Sequence, residues 1–241
     1  MMKRKWMMLV ALVLMLCMLT GCSGEELQLD DGDGPLYQYA MPSDGDEIAV
    51  IHTSMGDITV RFFPEQAPKA VKNFLELAKQ GYYDGTKFHR VIDEFMIQAG
   101  SPGGNGSSGE SIYGGGFGVE HSPMLHHLHG ALAMANTGEP NSNRAQWYIV
   151  QSSALTFHYQ GNQLAQMQKL DPTYGYTQKV IQAYKQDGGV PGCDGRYTVF
   201  GQVISGLDVV DRIGRQRTDK DDRPVNDIVV TSIEVMTYSA D

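Results

Sequence analysis

The sequence predicts a mainly β fold, a closed antiparallel barrel capped by two α-helices and carrying an additional helical insertion. Two observations support this prediction. Most regular segments are short and alternate between apolar and polar residues, which is typical of strands with one buried face. Outside the insertion, only two segments show helical spacing. Two helices set against many short strands favour a closed barrel with helical caps.

The first regular structure is a hairpin followed by a helix. Ile48–Thr53 and Ile58–Phe63 alternate on either side of a turn. A helix then follows from Pro68 to near Gly81, because apolar residues recur at helical spacing, proline suits the first turn and glycine suits the position after the last. This part of the chain therefore supplies two strands and the first cap.

Two dense apolar blocks come next. The first contains Phe88–Ile92 and Phe95–Gln98, which are predicted to be two short strands. The second, residues 130–151, is predicted to be a strand, a polar turn and a second strand. Both blocks mix large apolar side chains with amides.

The first block carries a candidate pocket. Alternation places Arg90 and Gln98 on one surface, beside the apolar side chains of Phe95 and Met96. This composition is typical of a shallow pocket for an apolar group that carries a backbone-like carbonyl. The alternative is a buried hairpin whose arginine is salt-bridged, and the pattern alone does not separate the two.

Residues 157–190 form the predicted insertion. They are rich in Gln and Tyr, and helices are predicted at Asn162–Leu170 and Thr177–Asp187. The insertion lies within one domain, because strands resume directly after it. The remaining predicted elements are a strand at Tyr197–Ile204, a short helix after Gly206 and a closing strand at Ile228–Met236.

The N-terminus has the organisation of a secretory signal. Lys3–Lys5 is basic, Trp6–Leu19 is apolar and uncharged, and small residues lead to Cys22. We therefore expect residues 1–21 to be a lipoprotein signal peptide, since the Leu-Thr-Gly-Cys ending resembles a bacterial lipobox. Lipidation of Cys22 would anchor the protein at the extracytoplasmic face of the cell membrane. The alternatives are an ordinary signal with an incidental cysteine, or an uncleaved anchor.

Residues 22–46 are expected to be an acidic flexible tether, and residues 47–241 the folded domain. Aspartate and glutamate are mixed with Gly, Pro and Ser in the tether segment, a composition that stays extended and solvated. A spacer between membrane and domain is the favoured interpretation, and an acidic binding site is the alternative.

Charge and cysteine content exclude several classes of function. Without Lys3–Lys5, 16 basic residues face 28 acidic ones, a net charge of −12 that disfavours nucleic acid. Cys193 is the only cysteine beyond Cys22, so the domain can form no internal disulfide.

The motif Gly104-x-Gly106-x-x-Gly109 is not followed by a helix and does not indicate a dinucleotide-binding site. We predict neither a cofactor nor a metal site, since the spacing of the histidines (His121, His126, His127 and His129) fits no closed metal site.

The two apolar blocks closely resemble the cyclophilin family of peptidyl-prolyl isomerases. The main signature of that family is similar to Phe88-His89-Arg90-Val91-Ile92 followed by Phe95-Met96-Ile97-Gln98-Ala99-Gly100. The resemblance extends from about Glu47 to Tyr238, with several motifs in the right order. These further motifs are Ser111-Ile112-Tyr113-Gly114, Ala133-Met134-Ala135-Asn136, Asn141-Ser142-Asn143 with Gln146, and Thr198-Val199-Phe200-Gly201.

The resemblance implies an eight-stranded antiparallel barrel closed by two helices, and it assigns site residues. Arg90 matches the catalytic arginine, and Phe95 and Met96 match the floor of the proline pocket. Gln98 matches an amide that contacts substrate backbone; we count Arg90, Phe95 and Gln98 as catalytic. The other substrate-binding positions implied are Met96, Ala135, Asn136, Gln146, Tyr148, Cys193 and Tyr197.

This sequence departs from the family pattern at one side of the pocket. The usual phenylalanine is Tyr148, the usual Trp-Leu pair is Gly192-Cys193, and the usual histidine is Tyr197. Loss of the tryptophan predicts weak cyclosporin binding, and loss of the leucine shrinks one pocket wall. The insertion is similar to that of some Gram-positive bacterial relatives, so we expect a Gram-positive source.

The predicted function is peptidyl-prolyl cis-trans isomerisation of Xaa-Pro bonds in unfolded exported proteins, by a monomer. A catalytically weak peptide-binding or chaperone module on the same scaffold is the alternative. A hydrolase using Ser152 or Ser153 with His158 is disfavoured, because no nucleophile elbow surrounds these serines.

Overall fold

A computed structural model describes residues 29, 30, 32–107, 109–154, 164, 166, 169 and 171–240. The predicted signal peptide and Cys22 lie outside these residues. So does nearly all of the helix predicted at Asn162–Leu170. The statements below concern the described part of the chain.

Eight strands form one antiparallel sheet, and the mainly β prediction is confirmed. The order across the sheet is β3-β4-β6-β5-β7-β2-β1-β8. Every described ladder between neighbours is antiparallel. The strands are β1 (Glu47–Thr53), β2 (Gly56–Phe62), β3 (Arg90–Ile92), β4 (Met96–Ala99), β5 (Ala131–Met134), β6 (Trp147–Val150), β7 (Val199–Ser205) and β8 (Val230–Thr237).

The curled sheet is a half-barrel, so the predicted closure by strand pairing is wrong. β3 and β8 are the two ends of the sheet and share no ladder. The backbone N–H of Val91 in β3 donates to the carbonyl of Asp222 in a loop rather than to β8. Only the segment just before β3 crosses the gap: Lys87 forms an isolated bridge with Val229, and the Phe88 N–H donates to Ile228 O.

Three complete α-helices lie within the described residues: α1 (Pro68–Lys79), α2 (Gln178–Asp187) and α3 (Leu207–Gly214). α1 and α3 are the predicted caps, and α2 is the helix predicted within the insertion. Thr177 caps α2 by accepting a hydrogen bond from the Val180 N–H, and Gly188 ends the helix. None of the helices in this part of the chain combines the length and hydropathy that crossing a membrane requires.

Strand alternation divides the interior between core and site. Trp147 in β6 lies in the main core, edge-on to Phe74 of α1 with ring centroids 6.0 Å apart. Its neighbour Tyr148 points to the opposite face and belongs to a second cluster with Met96 of β4. The main core thus fixes β6, and β6 in turn presents Tyr148 to the other face of the sheet.

Part of the predicted tether is docked on the domain. Leu36 and Gln38 are buried, and the Gln38 amide donates to His126 O at 2.8 Å and to the Gln202 side chain at 2.9 Å. Lys179 of α2 forms an ion pair with the buried Asp30 at 2.6 Å. The prediction of a solvated tether over residues 22–46 is therefore wrong here. The acidic composition of this segment did not reveal the short apolar and aromatic stretch within it that packs against the domain.

Candidate active site

The register of the sheet brings the predicted polar residues together. In the β3–β4 ladder Arg90 lies opposite Gln98, and in the β4–β6 ladder Gln98 lies opposite Tyr148. Residues directly opposite one another in neighbouring strands project from the same face. The arginine, the amide and the phenol therefore share one surface of the sheet, as alternation within the first block predicted for the first two.

Nine of the ten predicted site residues line one cavity of about 80 Å³. We name its two sides. The near wall comes from the β3–β4 hairpin, and the far wall comes from β6 and the segment that precedes β7. The near wall is Arg90, Phe95, Met96 and Gln98; the far wall is Tyr148, Cys193 and Tyr197; Ala135 and Asn136 lie between the walls.

Asp222 contacts one edge of the Arg90 guanidinium. Its Nε lies 3.4 Å from Oδ2 of Asp222, and both side chains are partly exposed. Asp222 has a positive φ of 62°, and its carbonyl accepts the N–H of Val91. Because the carboxylate meets Nε, the two terminal nitrogens of the guanidinium stay available to the cavity.

Gln146 is the predicted residue that does not line this cavity. It lines an adjoining one of about 190 Å³ together with Gln98, Ala135 and Asn136. Its side-chain oxygen accepts from Gln98 Nε2 at 2.7 Å, and its own Nε2 donates to Ser107 O at 2.6 Å. Gln146 therefore orients the Gln98 amide at the border of the two cavities.

The far wall is aromatic and partly to fully buried. Tyr148 is 5% exposed, and the Tyr197 ring meets it edge-on with centroids 5.8 Å apart. Burial, followed by the nearby carboxylate of Asp194, raises the pKa of the Cys193 thiol to about 11. A thiol in such a site is protonated at neutral pH and behaves as a small apolar group.

A buried carboxylate lies behind the far wall. The side chain of Asp194 is 1% exposed, and its Oδ1 accepts both the backbone N–H and the Nδ1–H of His127, at 2.8 and 2.7 Å. Burial alone would raise the pKa of Asp194, but hydrogen bonds from His126 and His127 hold it well below its usual range.

The sequence did not single out three of these residues for a role at the site. Asp222 lies in a charged loop and carries no motif, and Asp194 directly follows the Gly192-Cys193 pair but received no role. His127 was considered only as a metal ligand. A signal for Asp194 was available, since a charged residue among apolar and glycine residues needs buried donors.

The other residues considered as metal ligands or nucleophiles make their contacts outside this cavity. His121 and His129 contact the backbone carbonyls of Thr173 and Ser152. In the described residues no group of three or more His, Cys, Asp and Glu side chains could hold a metal ion. Ser152 is fully buried, and the Ser153 hydroxyl donates to Glu94 at 2.8 Å, while His158 lies outside the described residues.

Comparison with known proteins places the chain in a family. The sequence profile described as "Cyclophilin type peptidyl-prolyl cis-trans isomerase/CLD" matches residues 48–235. A Staphylococcus aureus (strain USA300) protein with a peptidyl-prolyl cis-trans isomerase name is 44% identical over 191 residues, 79% of this chain and 92% of the relative. A Staphylococcus epidermidis (strain RP62A) protein of the same name is 44% identical over 186 residues, 77% of this chain and 90% of the relative.

Solved structures agree. The crystal structure of a cyclophilin type peptidyl-prolyl cis-trans isomerase from Cryptosporidium parvum matches with a TM-score of 0.63 and 31% identity, covering 80% of this chain and 99% of the other. The same protein crystallised in the presence of the dipeptide Ala-Pro matches with a TM-score of 0.62. The half-barrel, the cavity lined by the predicted residues and these similarities lead to one conclusion: the chain belongs to the cyclophilin-type peptidyl-prolyl cis-trans isomerases.

Proposed function

We propose that this protein catalyses the cis-trans isomerisation of Xaa-Pro bonds in unfolded exported proteins at the outer face of the cell membrane. The observation that carries the catalytic part is the cavity that gathers nine predicted site residues from four separate stretches of the chain. The dipeptide Ala-Pro present with the Cryptosporidium relative supports proline-containing polypeptides as the ligand class.

The chemistry requires only that a twisted amide be bound better than either planar isomer. The barrier of about 18–20 kcal/mol arises from the partial double-bond character of the C–N bond. Interactions that are stronger in the twisted state than in the planar states lower this barrier. No bond to the protein is needed.

Arg90 supplies such an interaction. Twisting localises a lone pair on the prolyl nitrogen, which then becomes a hydrogen-bond acceptor. A guanidinium is always charged and offers a rigid fork of donors, so its terminal nitrogens, for which no partner is seen among the described residues, suit this role. Removing a preorganised donor of this kind commonly lowers turnover about 100-fold or more.

The remaining residues hold the substrate while one carbonyl turns. Phe95, Met96 and Tyr148 enclose the pyrrolidine ring. Gln98, oriented by Gln146, binds the flanking peptide backbone on the near side. Ala135 and Asn136, with Cys193 and Tyr197 at the far side, contact the residues that precede and surround proline.

The membrane location is supported by the sequence of residues 1–22. A basic n-region, an uncharged apolar run and a lipobox-like ending at Cys22 direct a protein to export and lipidation. Cells that express the full chain and are fed labelled palmitate should label the wild-type protein and not Cys22→Ala. Equal labelling of both proteins would contradict the anchor.

A weak peptide-binding module is the second candidate, and one observation favours it. Gly192 and Cys193 replace the larger Trp-Leu pair implied by the family resemblance, so the far wall offers less contact. Peptide affinity without accelerated exchange would support this candidate over catalysis.

The decisive experiment measures exchange between the cis and trans forms of a proline-containing peptide by NMR, with and without the protein. We expect acceleration by the wild type, a loss of about 100-fold with Arg90→Ala, and no change with Arg215→Ala. Arg215 is an exposed arginine at the end of α3 and serves as the matched control. If Arg90→Ala is as active as the wild type, the role assigned to Arg90 fails.

A further inference from the structure

The two oxygens of the Asp194 carboxylate face two different parts of the molecule. Oδ1 accepts both hydrogen bonds from His127, which lies behind the cavity. Oδ2 accepts from the hydroxyls of Tyr176 and Tyr184 at 2.9 and 2.7 Å, and His126 Nδ1 lies 3.4 Å away. Tyr184 belongs to α2 and Tyr176 precedes it, so Oδ2 is held by the insertion. One buried carboxylate therefore joins the insertion to the residues behind the cavity.

On the cavity side, Asp194 fixes the plane of the His127 ring. A carboxylate can only accept, so the proton in this contact lies on Nδ1 of His127. The His127 ring stacks on Tyr148 with centroids 6.1 Å apart and an interplanar angle of 18°, and it meets Tyr197 nearly edge-on. Both tyrosines line the cavity. Rotation of the imidazole would break its hydrogen bond and remove the surface against which Tyr148 rests.

On the insertion side, the chain returns onto the backbone of His127. The Val190 N–H donates to His127 O at 2.8 Å, and Leu128 forms an isolated bridge with Gly189. Gly189 has a φ of 137°, and a Cβ there would lie 2.4 Å from His127 O. Only glycine permits this approach. The end of the insertion and the support of Tyr148 therefore form one packed unit.

We propose that the helical insertion is a positioning element for the proline-binding cavity, acting through Asp194 and His127 on Tyr148. Tyr176 and Tyr184 hold the carboxylate, the carboxylate holds the imidazole, and the imidazole supports the far wall. Tyr176, Tyr184, Asp194 and His127 are positioning residues, because none of them lines the cavity. The proposal rests on the assignment of this cavity as the proline site.

The arrangement predicts a particular kinetic effect. The far wall encloses the pyrrolidine ring in the planar and twisted states alike, whereas Arg90 acts on the twisted state. A looser far wall weakens both states equally, which raises KM and leaves kcat unchanged. A fault in general folding would instead lower the amount of active protein and leave KM as it is.

The experiment removes single hydroxyls from the full-chain protein. Tyr184→Phe and Tyr176→Phe each delete one donor to Asp194 and keep the ring. Tyr174→Phe is the matched control, since Tyr174 lies in the same insertion and stacks on Tyr176 but does not reach the carboxylate. NMR exchange at several concentrations of a proline-containing peptide gives KM and kcat, and the aromatic resonances of Tyr148 report on the wall.

We expect Tyr184→Phe and Tyr176→Phe to raise KM about fivefold, the usual effect of one lost hydrogen bond, with kcat within about twofold of wild type. The Tyr148 resonances should shift in both variants and stay in place in Tyr174→Phe. The proposal is overturned if both variants fold and retain the wild-type KM and Tyr148 resonances, or if kcat falls while KM is unchanged. Should the wild type not accelerate exchange, the catalytic assignment fails, while the peptide dissociation constant and the Tyr148 resonances still decide the present proposal.

Discussion

The near and far walls of the cavity are built in different ways. The near wall comes from one hairpin, in which the pairing of Arg90 with Gln98 follows from strands three and four residues long. The far wall joins residues almost fifty positions apart, Tyr148 and Tyr197, whose rings both contact His127, with Asp194 behind it. Local register places the first wall, whereas the second also depends on a buried polar network.

Because of this difference, substitutions near the two walls should have different effects. A change behind the far wall should disturb stability and substrate binding together, since the network is buried and shared. A change at the ion pair beside the near wall should alter activity and spare stability, because Arg90 and Asp222 are partly exposed. Five predictions test this contrast.

Asp194→Asn should have the largest effect, a loss of about 3 kcal/mol of unfolding free energy, more than 100-fold in the folding equilibrium. The substitution removes the charge and presents an amide N–H₂ to donors that need an acceptor. Urea titration of the variant against the wild type measures the change. Asp227→Asn is the control, since Asp227 pairs with Lys87 at the surface and such pairs contribute about 1 kcal/mol or less.

The sign of the pH dependence follows from the lowered pKa of Asp194. A carboxyl whose pKa is lower in the folded than in the unfolded protein stabilises the fold at pH values above its unfolded pKa. That stabilisation is lost as the pH falls through the pKa of the folded protein. Wild type should therefore lose stability on acidification below about pH 4, and Asp194→Asn should lose less. Parallel acid titrations of the two proteins would contradict this account.

The Cys193 thiol should react slowly with alkylating reagents. A pKa raised from 9.0 to about 11 lowers the thiolate fraction about 100-fold at neutral pH. Treatment of the full-chain protein with iodoacetamide, followed by mass spectrometry of the peptide that contains Cys193, measures the rate. Glutathione in the same tube is the reference. Alkylation of Cys193 as fast as that of glutathione would show an open far wall.

Strand alternation alone was enough to predict the near wall, whereas the far-wall residues were assigned only through the family resemblance and the network behind them was not predicted. Alternation within Phe88–Gln98 is enough to put Arg90 and Gln98 on one face, and helical spacing is enough to find α1. Strand alternation also carries the mainly β prediction. These are local rules, and they need only the residues within one or two elements.

The features that could not be predicted from the sequence depend on contacts between residues far apart in the chain. Asp194 receives hydrogen bonds from His127, 67 positions away, and Asp222 contacts Arg90 across 132 positions. Nothing local to either aspartate identifies which distant residue is its partner. The charge pattern of residues 22–46 likewise predicted a solvated tether, and it could not show that Gln38 finds its partners 88 and 164 positions later.

Gln146→Ala should lower kcat/KM about tenfold. It should reduce the unfolding free energy much less than Asp194→Asn does. The truncation removes the acceptor for Gln98 and leaves the carbonyls of Gly106 and Ser107 without this donor. Peptide exchange by NMR measures the effect. Gln216→Ala is the control, because the Gln216 amide donates to a carbonyl at the exposed end of α3. Equal activity of both variants would remove Gln146 from the site.

Asp222→Asn should have the smallest effect, a fall in kcat of about threefold, because partly exposed ion pairs contribute little. Asparagine tolerates the positive φ at this position, so the substitution removes the charge without straining the loop. The carboxylate orients Arg90 through Nε, and the loss should appear in kcat since Arg90 acts on the twisted state.

Three tests isolate the contact between Asp222 and Arg90. Asp221→Asn alters a neighbouring exposed carboxylate and should leave kcat unchanged. In an Arg90→Ala background Asp222→Asn should have no further effect, since the group that it orients is gone. High salt should shrink the difference between wild type and Asp222→Asn, because screening weakens an exposed pair. If Asp222→Asn lowers kcat equally with and without the Arg90 side chain, the aspartate acts through the loop backbone, and the near wall depends on long-range structure as much as the far wall does.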